Sequence, residues 1–499
     1  MAHYIDGERV PGEGERFESR NPATGAIVGD YRKGTEAEVG AAVAAAESAS
    51  DSWRARSYTE RADVLWDVFH ALRDRTNELG ELVSRECGKE LSEGKADIRE
   101  AAHMVEWAAG NARHPHGDVV PSEIPEKDAY MRREPRGVVG CITPWNFPVA
   151  IPFWHMAVAL VEGNTVVWKP AEQTPACAEA VAGLLDDAGV PDGVFNMVQG
   201  FGDAGAELVS DSRVDTVLFT GSAEVGHDIA ADVARQPGKI AACEMGGKNA
   251  VVVTEEADLD IAVRSALLSA FKTTGQRCVS AERLIVHEDV LGEFRERFVA
   301  LAERIVVGDP LEEETFMGPL VDESGVEKFY RYNELAREEG AEVLVDRAEL
   351  ESPPTAEGHW VGPFVYELAH DPAHRCLREE VFGPHVALIP YSGGIERAVE
   401  IQNATDYGLA GAVISEDYRQ QNYYRDHAEL GLAYANLPCI GAEVQLPFGG
   451  VKRSGNGRPS AREIIETVTE RTAWTVNNGR DITLAQGLSA EVRTEEDEG

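Results

Sequence analysis

The sequence predicts an α/β protein built on a doubly wound parallel sheet, with a second α/β unit behind it. Three observations carry this. Between residues 137 and 243 short apolar runs alternate with amphipathic runs of helical period. From residue 250 the same rhythm starts again. Two further stretches, the extended 119–131 and the β-like 470–477, fall outside both runs.

In chain order, 4–10 and 17–31 mix short apolar runs with Gly and Asn-Pro and read as β-hairpins. Residues 37–49, 61–77, 79–87 and 93–109 are helical by period and by their Ala, Leu and Glu content. Residues 119–131 are polar and broken by prolines, an extended excursion. Strands are then expected at 137–143, 165–169, 194–198, 216–220 and 240–243, with helices at 149–161, 176–188, 204–210 and 222–234 between them. The second unit opens with a strand at 250–253, a helix at 258–271, a strand at 283–287 and a helix at 293–304, and runs to about Val451. The tail from Asp481 is polar and acidic.

Composition narrows the function classes. A chain of 499 residues can hold two or three full cores, and 43% hydrophobic residues is ordinary for a globular protein. No run of about 18 apolar residues suggests a membrane span, and residues 1–7 do not look like a secretory signal, so the cytoplasm is expected. Seven cysteines without a C-x-x-C pair fit neither a disulfide framework nor a zinc site, and no metal is expected. The 87 acidic against 47 basic residues give a formal charge of −40, which repels nucleic acid and anionic membranes. Only ten of the basic residues are lysine. An acidic surface poor in lysine suits molar salt, where charges are screened over about 3 Å, so a salt-adapted protein is expected.

Three motifs carry the chemistry. Thr273-Thr274-Gly275-Gln276-Arg277-Cys278-Val279 places a cysteine after a helix, in a Gly-bearing stretch where the helix should not continue. Glu244 lies thirty-four residues upstream in Glu244-Met245-Gly246-Gly247-Lys248, at the end of an apolar strand that should bury it and raise its pKa. Pro144-Trp145-Asn146-Phe147-Pro148 holds an amide between two stiff prolines. A nucleophile, a carboxylate base and a fixed amide donor suit chemistry on a carbonyl. A lone cysteine is most often inert core; the combination is what points to a site.

Together with Trp168-Lys169-Pro170-Ala171-Glu172, Phe219-Thr220-Gly221-Ser222 and Glu379-Glu380-Val381-Phe382-Gly383-Pro384, these motifs resemble the aldehyde dehydrogenase superfamily from about Asn21 to about Val476. The resemblance implies a Rossmann-type NAD-binding domain (1–117 and 137–245), a catalytic domain (246–452), an oligomerisation element (118–136 and 468–478) and an acidic tail (480–499). It implies oxidation of an aldehyde to an acid through Cys278, with Asn146 as oxyanion donor and Glu244 as base for hydrolysis. Cofactor contacts would come from Trp145, Lys169, Glu172, Gly202, Gly221, Ser222, Glu380 and Phe382. Glu172 near the ribose 2′-oxygen favours NAD, with NADP also accepted by some members that keep this residue.

The literal G-x-G-x-x-G at 200–205 would read as the pyrophosphate loop. The resemblance moves that role to Ser222 and the helix after it, although a plain N-cap serine would look the same. Lys248 fits a structural role. Phe147, Ile151 and Trp154 fall at tunnel positions, and Lys272 and Arg277 are two cations near the nucleophile. They suggest an ω-carboxylated semialdehyde such as α-ketoglutarate semialdehyde. Pro459 replaces an acid often found past the Ser454-Gly455 turn, so no auxiliary proton path is expected there. Glu470 fits a position near a subunit interface, and a homodimer or homotetramer is expected. A CoA-acylating enzyme, and a non-oxidising thiol hydrolase or binding protein on the same fold, stand as alternatives.

Overall fold

The computed structural model describes residues 3–114 and 116–487; most of the acidic tail, and residues 1, 2 and 115, lie outside these. Two large sheets organise it. The first runs in the order Glu8–Val10, His3–Ile5, Phe195–Val198, Thr165–Lys169, Val138–Ile142, Thr216–Gly221, Ile240–Met245, Gly455–Asn456. Its five central strands are parallel. Val138–Ile142 and Thr165–Lys169 are buried throughout, so their apolar runs are continuous rather than alternating, as a sheet covered on both faces requires.

The chain builds outward from Val138–Ile142 on one side, then returns to add Thr216–Gly221 on the other. That reversal opens a crevice beyond the carboxyl ends of the central strands, where open α/β sheets bind ligands. Helix Ala150–Glu162, buried at every position, backs the sheet. Helices Tyr58–Asp74, Thr76–Cys87 and Leu91–Gly110 pack around it. Capping boxes start Glu36–Arg54 at Thr35 and Tyr58–Asp74 at Ser57.

The second sheet runs Glu342–Asp346, Phe364–Glu367, His385–Tyr391, Ala281–His287, Asn249–Val253, Ala410–Ile414, Leu432–Ala435. Ile240–Met245 passes into Asn249–Val253 through only Gly246, Gly247 and Lys248. The carboxyl edge of the first sheet therefore meets the amino edge of the second. A third sheet, Thr469–Asn477, Lys127–Pro135 and Val119–Val120, is antiparallel and stands apart.

The helices expected at 61–77 and 79–87 divide slightly earlier, at Arg75. The helix expected at 293–304 begins at Glu288, where the His287 ring accepts a hydrogen bond from the Asp289 N–H. Gly455–Asn456 joins the first sheet from far outside the segments expected to build it.

Candidate active site

Each functional residue sits where a strand or helix ends at the seam. Thr143 to Asn146 follow Val138–Ile142, Lys169 ends Thr165–Lys169, Gly221 ends Thr216–Gly221, and Glu244 lies one residue before the end of Ile240–Met245. Cys278 precedes Ala281–His287 at the amino edge of the second sheet. Six of the seven cysteines, all described, are buried and only Cys278 is partly exposed; none forms a disulfide.

A cleft of about 820 Å³ runs along this seam. A smaller cavity of about 50 Å³ lies beyond it, and Ile151, Thr220, Glu244 and Cys278 border both. Cys278 and Glu244 thus stand where the two spaces meet. Glu244 is 1% exposed, and neither carboxylate oxygen has a hydrogen-bond partner among the described residues. Burial, with Glu380 adding repulsion, pushes it well above the usual carboxylate range. Burial also raises the Cys278 thiol, helped by Glu244 and Glu380 and opposed by Arg277. Asn146 Nδ2 donates to the Gln276 carbonyl at 2.9 Å, which fixes the amide; among the described residues its second N–H has no acceptor.

The loop before Cys278 is held in an unusual shape. Thr273 and Thr274 have φ of 53° and 57°, and Gly275 has φ of 73°. A Cβ on Gly275 would also lie 2.3 Å from the Gly383 carbonyl. Left-handed backbone is uncommon for a β-branched residue, so tertiary contacts enforce it. Asn249 Nδ2 donates to the Cys278 carbonyl at 2.6 Å and to the Ser280 carbonyl at 2.9 Å, pinning the far side.

Trp145, Lys169, Glu172, Gly202, Gly221, Ser222, Glu380 and Phe382 all line the large cleft. Lys169 Nζ donates to the Gly200 carbonyl at 3.1 Å and approaches Glu172 at 3.5 Å. One end of the cleft lies between helices Gly202–Ser210 and Ala223–Val233. Ser222 caps the second of these by accepting from Val225 N–H at 3.4 Å. The other end is formed by Glu380, whose Oε1 accepts from Gly247 N–H at 2.8 Å, and by Phe382, edge-on to Trp145 with centroids 5.7 Å apart. A Cβ on Gly246 would come 2.3 Å from the Glu380 carboxylate, so a larger residue there would displace that side chain. Burial raises Glu380 to about 7.

Lys248 supports the site from behind: it pairs with buried Glu282, whose carboxylate accepts from Val381 N–H at 2.9 Å and Phe382 N–H at 2.8 Å. The cleft carries charged and polar groups at Lys169, Glu172 and Glu380 among apolar walls, and the N-terminus of helix Ala223–Val233 opens onto it at Ser222; these features fit a dinucleotide.

The small cavity is lined by Phe147, Ile151, Trp154 and Arg277, and also by Glu100, Thr220 and Phe448. Trp154 meets Phe448 edge-on at 4.7 Å. Lys272 is a correction: it lines neither space, because it pairs with Glu90 at 3.0 Å and lies over the Phe316 ring. Arg277 reaches the cavity but is already paired with Glu93.

Sequence reading missed Glu100, which is half-buried and makes no ion pair or hydrogen bond among the described residues. Burial, then neighbouring Asp97, raises it to about 7 against the pull of Arg277 and Lys89. It also missed Lys328, which lines the large cleft near Glu380. Neither stands in a local motif. His155 is fully buried, held neutral by burial with its pKa down to about 3, and bonds Thr220 at 3.0 Å. No group of His, Cys, Asp and Glu among the described residues could hold a metal ion.

Residues 10–474 match the model of the aldehyde dehydrogenase family. The chain is 36% identical over 459 residues to the alpha-ketoglutaric semialdehyde dehydrogenase of Bacillus subtilis, covering 91% of this chain and 93% of that one. It is 37% identical over 457 residues to the alpha-ketoglutarate semialdehyde dehydrogenase of Haloferax volcanii, covering 91% and 94%. The crystal structure of an NAD-dependent aldehyde dehydrogenase from Sinorhizobium meliloti superposes with a TM-score of 0.92 at 33% identity, over 97% of this chain and 96% of that one. Matched over most of its length by the family model and by relatives at 36% and 37% identity, this chain belongs to the aldehyde dehydrogenase family.

Proposed function

We infer that the protein oxidises an aldehyde to a carboxylic acid with NAD. The observation that carries this is that Cys278 and Glu244 border both the long cleft and the small cavity, so one sulfur faces cofactor and aldehyde alike. Cys278 Sγ, partly exposed to the cleft, releases its proton to solvent and attacks the carbonyl carbon as the thiolate. The developing oxyanion is met by the second N–H of the Asn146 amide and by the Cys278 backbone N–H. When bound, NAD supplies the acceptor for the hydride, and an acyl thioester remains on Cys278. Glu244 then takes a proton from water, the hydroxide adds to the acyl carbon, and the C–S bond breaks to return the thiol. A buried base at the nucleophile supports water rather than CoA as the acceptor.

Within the cleft, Lys169 and Glu172 would hold the adenosine ribose, the N-terminus after Ser222 the pyrophosphate, and Glu380 the nicotinamide ribose, with Gly202, Gly221, Trp145 and Phe382 shaping the walls. The Glu172 carboxylate would repel a 2′-phosphate, which favours NAD over NADP. The proposed substrate is an ω-carboxylated semialdehyde: relatives at 36% and 37% identity carry such names, and Arg277, although paired with Glu93, lies in the cavity wall. Phe147, Ile151 and Trp154 would pack its chain.

The protein is further proposed to be a cytoplasmic, salt-adapted homodimer or homotetramer. The open strand Thr469–Asn477 supports the assembly, and the −40 charge supports salt adaptation. NADH formation across a panel of aliphatic, aromatic and carboxylated aldehydes, at low and multimolar KCl, tests the reading. Preference for carboxylated members that is lost in Arg277→Gln supports it. Equal turnover of plain aliphatic aldehydes by both proteins would remove the substrate class, and no NADH from any aldehyde would remove the reaction.

A further inference from the structure

We propose that Glu93 is a positioning residue that sets the nucleophile loop from across the seam. Glu93 lies in the first turn of helix Leu91–Gly110, which packs on the first sheet's side, and it is 6% exposed. Its carboxylate accepts from the Thr273 backbone N–H at 3.0 Å and from Thr273 Oγ1 at 2.7 Å, and it pairs with Arg277. Arg277 Nε in turn donates to Thr273 Oγ1 at 2.8 Å. One carboxylate therefore binds both ends of the five-residue arc 273–277 immediately before Cys278.

That arc contains three consecutive left-handed residues, two of them threonines, a backbone that does not persist without enforcement. Thr274 is tied separately, through Oγ1 to the Gly318 carbonyl at 2.9 Å. The arc also carries the Gln276 carbonyl, which fixes the Asn146 amide. Both oxyanion donors, the Asn146 side chain and the Cys278 backbone N–H, thus take their places from a loop that Glu93 holds. Glu90, the residue that caps the same helix by accepting from Ser92 N–H, pairs with Lys272 outside the arc, and its Gln variant keeps a capping oxygen while losing the charge, which provides a comparison.

The inference rests on Cys278 as the nucleophile, and the experiment separates the two. In rapid mixing with NAD and saturating aldehyde, the wild-type protein gives an NADH burst; absence of that burst would fail the nucleophile reading itself. Given the burst, Glu93→Gln is expected to slow its rate at least tenfold and to change the rate of Cys278 alkylation by iodoacetamide, with NAD affinity unchanged. Glu90→Gln is expected to stay within twofold of wild type. Thr273→Val keeps the β-branched bulk but removes the hydroxyl link. It is expected to slow the burst severalfold and to add little in the double variant with Glu93→Gln, because both act through one contact. A burst within twofold of wild type in Glu93→Gln overturns the proposal. If Glu93→Gln does not fold, a wild-type burst in Thr273→Val overturns it as well.

Discussion

At the scale of single residues, the site's behaviour turns on which charges are already matched. Lys272 reads as a free cation in the sequence because its partner Glu90 is 182 positions away. Glu100 reads as one acid among many on a helix, yet it borders the small cavity with no hydrogen-bond or ion-pair partner among the described residues, and burial raises it to about 7. The sign follows directly. Below pH 7 Glu100 is neutral and tolerates a carboxylated substrate; above it the ionised group repels one. For such a substrate kcat/KM is expected to fall roughly tenfold, the equivalent of about 1.4 kcal/mol, as pH rises from 6 to 8. Glu100→Gln should flatten that fall, and a neutral aldehyde should lack this component altogether; parallel pH profiles for both substrates and both proteins check it. Cys278, Glu244 and Asn146 were legible because each stands in a local motif with its own backbone logic. Glu100 was not, since only the fold brings it to the cavity.

At the scale of elements, short connections do the positioning. The link from Gly246 to Lys248 joins the two large sheets, and the Lys248–Glu282 pair behind it anchors the loop that presents Glu380 and Phe382. Lys248→Ala leaves a buried carboxylate unpaired, which typically costs about 3–5 kcal/mol. Urea unfolding should show that loss, and NAD titration should weaken with it. Unchanged stability would mean that Glu282 finds another partner. The strands and helices of the first sheet were legible because buried parallel strands are continuous apolar runs and their crossovers keep helical period. Two-residue strands such as Gly455–Asn456 and Pro447–Phe448 were not, because tertiary pairing alone defines them.

At the scale of the whole molecule, charge and an open edge govern behaviour. With a formal −40, self-repulsion should weaken as the screening length shrinks from about 8 Å at 0.15 M to about 3 Å at 1 M salt. The thermal midpoint is expected to rise steadily with KCl, measured by calorimetry; a flat response would remove salt adaptation. The composition made this charge visible at once, but the exposed face of the third sheet was beyond it. There Trp474 stacks on Tyr130 at 6.3 Å and is 44% exposed. What unites the scales is the claim that an acyl group passes onto Cys278 and is released by Glu244. Rapid mixing of Glu244→Gln with NAD and aldehyde, followed by intact mass, tests it most directly. The account predicts one NADH per active site in the burst, an acyl adduct on Cys278, and steady-state turnover lowered by roughly 10²–10⁴-fold. A variant that turns over at the wild-type rate, or that bursts without any adduct on Cys278, would contradict it.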